Sequence, residues 1–128
     1  MNNTFSRLVF AGLVATTGAC SVFKARGPKP PPTYITFNNQ SIDQADVYAT
    51  SPGTGLVRIG TVAGGRSELL TLSPSLVSGG RTLNFVARRL ATTRIIQTGD
   101  VPITPGDSYE ITLPSSGNTL TVLPGRPR

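Results

Sequence analysis

The sequence predicts an all-β protein, a single antiparallel β-sandwich of about seven or eight short strands. Three observations carry that prediction. The chain of 128 residues holds 14 Gly and 11 Pro with a hydrophobic fraction of 38%, a composition that favours turns over long helices. Apolar residues recur with a period of two in short runs, each bounded by Gly, Pro, Asn or Ser. Turn signals recur about every ten residues, which leaves no room for helices.

The strands follow in order from Thr33. Thr33 to Phe37 places Ile35 and Phe37 on one face, and Asn38-Asn39-Gln40-Ser41 then reads as a turn. Val47 and Ala49 alternate with Asp46 and Tyr48 in the second run, which Ser51-Pro52-Gly53 closes. Val57 and Ile59 share a face within Leu56 to Val62, and Leu70 and Leu72 do so within Ser67 to Leu72. Leu83, Phe85 and Ala87 line one face of Thr82 to Arg88. A shorter run spans Thr93 to Gln97, Tyr109, Ile111 and Leu113 share a face of the next strand, and Thr119 to Leu123 forms the last. Residues 33–123 thus form the domain, with 124–128 as a basic disordered tail.

One motif recurs. Val62-Ala63-Gly64-Gly65-Arg66-Ser67 is echoed by Val77-Ser78-Gly79-Gly80-Arg81-Thr82. A Gly-Gly pair between alternating runs suits a hairpin turn, because turns that match strand twist need positive φ at their centre, whereas the second copy follows the less regular segment Ser73 to Val77 and reads as either a loop or a two-residue turn. Neither copy has the glycine and lysine spacing of a phosphate loop.

The N-terminal region reads as an address. Met1 to Arg7 is polar with one positive charge, and Leu8 to Ala19 is largely apolar and ends in small residues, the layout of a secretory signal. It is too short for a spanning helix, which needs about 20 apolar residues. The stretch Thr17-Gly18-Ala19-Cys20-Ser21 resembles the lipobox of bacterial lipoproteins, with Gly18, Ala19 and Cys20 matching and Thr17 standing where an aliphatic residue is usual. The resemblance implies that residues 1–19 are removed and that Cys20, the chain's single cysteine, carries fatty acyl chains such as palmitate and becomes the new N-terminus. Membrane lipid is then a partner through Cys20. Ser21 in place of Asp implies sorting to the outer membrane of a Gram-negative envelope, facing the periplasm or the cell surface.

Residues 20–32 form a Pro-rich basic linker. Ser21 to Pro32 carries Lys24, Arg26 and Lys29 among four prolines, and Pro30-Pro31-Pro32 favours polyproline II, which extends about 3.1 Å per residue. Twelve such residues span on the order of 37 Å. Beyond the linker, the rhythm of a strand ending in Asn, a Val-Tyr strand, Arg58-Ile59-Gly60-Thr61-Val62 and a late Pro-Gly before Tyr109-Glu110-Ile111-Thr112-Leu113 is similar to small immunoglobulin-like or PEGA-like modules of bacterial envelope proteins. That resemblance implies a domain that binds or spaces.

Few residues could carry chemistry. The chain has no His, and one Cys excludes internal disulfides and multi-cysteine metal sites. The six acids are Asp43, Asp46, Glu68, Asp100, Asp107 and Glu110; Asp43 and Asp46 are closest in sequence but supply too few oxygens for calcium. Asp100 and Asp107 read as turn residues. No catalytic residue, metal or cofactor is expected, and the protein reads as a non-catalytic module. Tyr34 and Tyr48 fall opposite the core faces of their strands and are the candidate contacts for an envelope protein or glycan. A rival reading makes the protein a secreted, unlipidated carbohydrate-binding accessory or hydrolase that uses surface carboxylates with Tyr34 and Tyr48. Arg88-Arg89 with Arg94 reads as a strand end in solvent, and nucleic acid is not an expected partner, since a reader of nucleic acid wants a wider basic stripe with interleaved aromatics.

Twelve Lys+Arg against six Asp+Glu give a net charge of +6. Arg7 leaves with the signal, Lys24, Arg26 and Lys29 lie in the linker, and Arg126 and Arg128 lie in the tail. The remaining Arg58, Arg66, Arg81, Arg88, Arg89 and Arg94 balance the six acids, so the domain is neutral. The basic character belongs to its flanks.

Overall fold

The computed structural model describes Gly27, Lys29, residues 31–78 and residues 80–126. The expectations for the signal segment, Cys20, Lys24, Arg26 and Arg128 lie outside the described residues. The rest is a two-layer β-sandwich with strands β1 (Thr33–Asn39), β2 (Ala45–Thr50), β3 (Val57–Val62), β4 (Ser67–Leu72), β5 (Thr82–Arg89), β6 (Ile95–Pro102), β7 (Ser108–Leu113) and β8 (Thr121–Pro124). One four-stranded sheet has the order β4-β1-β7-β8, and the other β3-β2-β5-β6. One helical turn, α1 (Pro74–Val77), stands among the described residues where the sequence reading leaves no helix. Pro at its start and two buried residues, Leu76 and Val77, hold that turn against the core.

Alternation places the core. Ile35 and Phe37 of β1, Leu70 and Leu72 of β4, and Ile111 and Leu113 of β7 meet Val47 and Ala49 of β2 and Leu83, Phe85 and Ala87 of β5 in one buried cluster. Tyr109 packs on this cluster half-buried, and its phenolic oxygen accepts a hydrogen bond from the Thr104 amide at 2.9 Å. Among the described residues all strand pairs are antiparallel except β1 with β7, which run parallel. A parallel pair requires a long crossover. Here the intervening chain makes it by building the entire second sheet along with β4.

Several boundaries differ from the sequence expectations. β1 continues through Asn39 instead of turning at Asn38, because Asn39 still donates its amide to the Arg66 carbonyl at 2.9 Å. β6 begins later and runs to Pro102, so Asp100 lies in a strand and not a turn, whereas Asp107 does turn the chain, its amide donating to the Thr104 carbonyl. β8 begins at Thr121 and takes in Pro124, and the Gly125 amide bonds to β7, so the ordered domain reaches past Leu123 into the segment expected as tail. In β3 a register shift pairs Val47 with Gly60 and Tyr48 with Arg58, leaving Ile59 as the extra residue of a bulge. Val57 and Ile59 therefore do not share a regular core face.

The first Gly-Gly copy is not a hairpin. It joins β3 to β4, which belong to different sheets, so it carries the chain across the sandwich. Gly65 has φ of 70°, a left-handed conformation that favours glycine, and its amide donates to the Ser41 carbonyl at 2.9 Å. A Cβ on Gly64 would run into the backbone carbonyl of Ile42. The pair therefore lets two loops approach backbone to backbone.

The sandwich has two distinct ends. At the base, Pro31 and Pro32 lead into β1 and Pro124 leaves β8, so both described chain ends emerge there together. Thr33 Oγ1 accepts from the Gly106 amide at 2.9 Å, and the Gly125 amide donates to the Ser108 carbonyl at 2.7 Å, which fixes both ends against the β6–β7 loop and β7. At the tip lie the β1–β2, β3–β4, β5–β6 and β7–β8 loops.

Candidate functional site

The tip and the adjoining outer face of the β3-β2-β5-β6 sheet gather most of the domain's charge. Asp46 of β2 projects from that face because its neighbours Ala45 and Val47 point into the core. Opposite it, Thr61 of β3 donates its hydroxyl to Asp46 Oδ1 at 2.6 Å, and Arg58 Nη2 donates to the same oxygen at 2.8 Å while also donating to Thr61 Oγ1. The Thr61 hydrogen bond, followed by the Arg58 hydrogen bond and charge and by the Arg88 charge, holds the Asp46 carboxyl below its ordinary 3.8 despite an opposing contribution from burial. Asp46 is thus a fixed anion, poorly suited to donating protons.

Because that pKa is depressed in the fold, its stabilisation is present at neutral pH and lost as pH falls below the ordinary carboxylate range. Asp46→Asn is expected to lower stability at pH 7 by less than about 1 kcal/mol, given that Arg58 is 57% exposed. Thermal melts at pH 7 and pH 2.5 check this. The difference between variant and parent should vanish at the lower pH, and an equal cost at both would show that the carboxylate charge contributes nothing.

Arg89 departs from the sequence expectation. Arg88 ends β5 in solvent, but Arg89 is folded inward, with Nη2 3.3 Å from Asp43 Oδ2 and only 16% of its side chain exposed. Its guanidinium also lies so close to Gly117 that a Cβ there would stand 2.5 Å from Nη1. Arg89 therefore ties the β1–β2 loop to the β7–β8 turn. Asp46 and residues 88–93 border an open cleft of about 350 Å³ beside it.

The β1–β2 loop is held by a buried polar hub that sequence reading missed. Asn39 is fully buried, and its Nδ2 donates to the Asp43 carbonyl at 2.8 Å and the Val62 carbonyl at 3.1 Å. Its Oδ1 accepts from the Ser41 amide at 3.0 Å and from the Ser41 hydroxyl at 2.7 Å. The residue order Asn-x-Ser within a turn is the local signal; the bond to Val62 is invisible before folding. The loop so fixed displays Ile42, 93% exposed.

Tyr34 and Tyr48 do not form one site. Tyr34 lies on the outer face of the β4-β1-β7-β8 sheet and Tyr48 on the outer face of the other, so the sandwich separates them. Tyr34 borders a cleft of about 480 Å³ at the base, together with Pro31, Pro32, Tyr109, Pro124 and Gly125. Tyr48 is directly opposite Val86, which is buried although it points away from the core. Lys29 is exposed near the base. Among the described residues no three acidic or sulfur-bearing side chains are grouped to hold a metal ion, and no helix is long and apolar enough to cross a membrane. The chain matches no protein-family model, and no curated protein matches it in sequence.

Proposed function

We propose that the protein is a lipid-anchored component of a bacterial cell envelope, whose sandwich serves as a non-catalytic binding or structural module held on a short basic linker. The observation that carries this reading is the apolar segment Leu8 to Ala19 ending at Gly18-Ala19-Cys20, with Cys20 the single cysteine of the chain. Two or more acyl chains retain a protein stably at a membrane where one does not, each buried CH₂ contributing about 0.8 kcal/mol. Lys24, Arg26 and Lys29 add roughly 1 kcal/mol each beside an anionic surface.

The base of the domain supports the reading. Its last linker residues, Pro31 and Pro32, sit against the β6–β7 loop, where a Cβ on Gly106 would meet the Pro31 ring at 2.8 Å. A linker seated this way gives the domain a defined bottom, and Arg126 emerges at the same end. The four loops of the tip then face away from the anchor, toward whatever the domain contacts.

Membrane fractionation tests the proposal. The parent chain is expected in the membrane pellet, and Cys20→Ala is expected to shift it to the soluble fraction or leave its signal uncleaved. Mass spectrometry of the mature N-terminus should find an acylated Cys20. An unmodified Cys20 in a chain cut after Ala19 would overturn the reading.

A further inference from the structure

We propose that the outer edge of β4, which pairs with no strand among the described residues, pairs with the same edge of a second copy, joining the two β4-containing sheets into one continuous sheet. Among the described residues the two sheets have four edge strands, β4, β8, β3 and β6. Three of them carry features that discourage pairing. β8 has four residues and ends in Pro124, β6 is distorted at Gly99 with φ of 79° and closes on Pro102, and β3 bulges at Ile59 and carries Arg58. β4 has six residues, no proline, and an unbroken register with β1.

The hydrogen-bond pattern shows what that edge offers. Asn39 N–H donates to the Arg66 carbonyl, and the two residues are opposite in the β1–β4 register, so the pairs Phe37 with Glu68, Ile35 with Leu70 and Thr33 with Leu72 turn their amide groups toward each other. Ser67, Leu69 and Thr71 therefore turn N–H and C=O outward. The side chains of these three lie on the outer face, uncharged, with Leu69 41% exposed. The hydroxyl–Leu–hydroxyl order is close to a palindrome. An antiparallel pairing about a two-fold axis at Leu69 sets Leu69 against its counterpart and Ser67 against Thr71 on each side, an isologous contact that leaves none of those backbone groups unpaired. The nearest charge, Glu68, points to the other face of the strand.

Such a pair runs antiparallel, with the base of one copy beside the tip of the other. A seven-residue strand is about 23 Å long. Ten extended linker residues, 21–30, reach about 31 Å. On the proposed anchoring, both copies can stay attached to one membrane.

Cysteine crosslinking of the full chain in cells under mild oxidant tests this. Leu69→Cys is expected to give a disulfide-linked dimer, because directly opposite Cα atoms lie about 5.5 Å apart in such a pair, within disulfide range. Leu123→Cys, 54% exposed on β8, is expected to give none, and the parent chain reports any crosslink through Cys20. In sedimentation velocity the purified chain is expected to be a dimer, and Leu69→Lys, which sets like charges opposite one another, should raise the dissociation constant at least tenfold while its circular dichroism spectrum stays that of the folded parent. A monomeric parent chain, a dimer indifferent to Leu69→Lys, or equal crosslinking at positions 69 and 123 would overturn the proposal. Association is read whether or not Cys20 is acylated, so its failure is distinct from failure of the anchor.

Discussion

Asn39→Asp is expected to destabilise the domain by about 2–5 kcal/mol at pH 8 and by clearly less at pH 5. The substitution preserves shape and removes both amide hydrogens, so the Val62 carbonyl loses the Asn39 donor inside a buried site and the Asp43 carbonyl is left with the Ser41 hydroxyl. Each unsatisfied buried group costs about 1–3 kcal/mol. The new carboxylate would also face those carbonyls with little water, and both burial and the adjacent oxygens raise its pKa. A carboxyl whose pKa is raised by folding keeps its stabilising protonated form at low pH and loses stability as pH rises through the folded value. Urea unfolding at pH 5 and pH 8 measures both effects. A variant as stable as the parent, or one whose deficit ignores pH, would show that the hub does not hold this end of the sandwich. Asn39→Ala, which removes the amide without adding charge, should be destabilised without that pH dependence.

Phe85→Ala is expected to cost about 3–5 kcal/mol, the range for deleting a buried ring. Phe85 is fully buried, lies opposite the small Ala49 on β2, and faces the other sheet from the middle of β5. Its backbone has little freedom to close the cavity, since its amide donates to Thr98 Oγ1 at 3.0 Å across the β5–β6 bulge. For a domain of this size the melting temperature should fall on the order of 15 °C or more. Ile42→Ala is the matched contrast, since Ile42 is an equally apolar residue left exposed at the tip, and its change should stay within about 0.5 kcal/mol. Thermal melts of the two variants decide the matter. Comparable losses would mean that Ile42 is covered or that Phe85 is not at the centre of packing.

Legibility in the sequence followed the range of each interaction. Ile35 and Phe37, Val47 and Ala49, Leu70 and Leu72, and Leu83, Phe85 and Ala87 were readable as core because a strand's two faces alternate residue by residue, whatever it pairs with. β3 escaped that reading. Its bulge at Ile59 depends on register with β2, and Gly60 faces Leu70 so closely that a Cβ would stand 2.5 Å from a methyl of that side chain. The Gly-Gly pair at Gly64 and Gly65 was legible as a turn but not as a crossing, since a tight turn has the same local chemistry whether the next strand joins the same sheet or the opposite one. Arg88 and Arg89 are adjacent and chemically identical, yet the first is exposed and the second half-buried against Asp43, a difference set by alternation at the end of β5 and by the loop folded over it.

The fold class, the strand faces, the neutral domain between basic flanks and the expectation of an anchored N-terminus can all be read from the residues in order. These depend on composition and on spacing within a few residues. Long-range packing chose which strands share a sheet, and with that choice separated Tyr34 from Tyr48, made β1 and β7 parallel, and gave the outer edge of β4 no strand partner among the described residues. It also decided that Asn39, ordinary in a turn sequence, closes the tip through Val62, 23 residues away. Sheet partners are chosen by the summed burial and hydrogen bonding of distant segments, and no local pattern carries that sum.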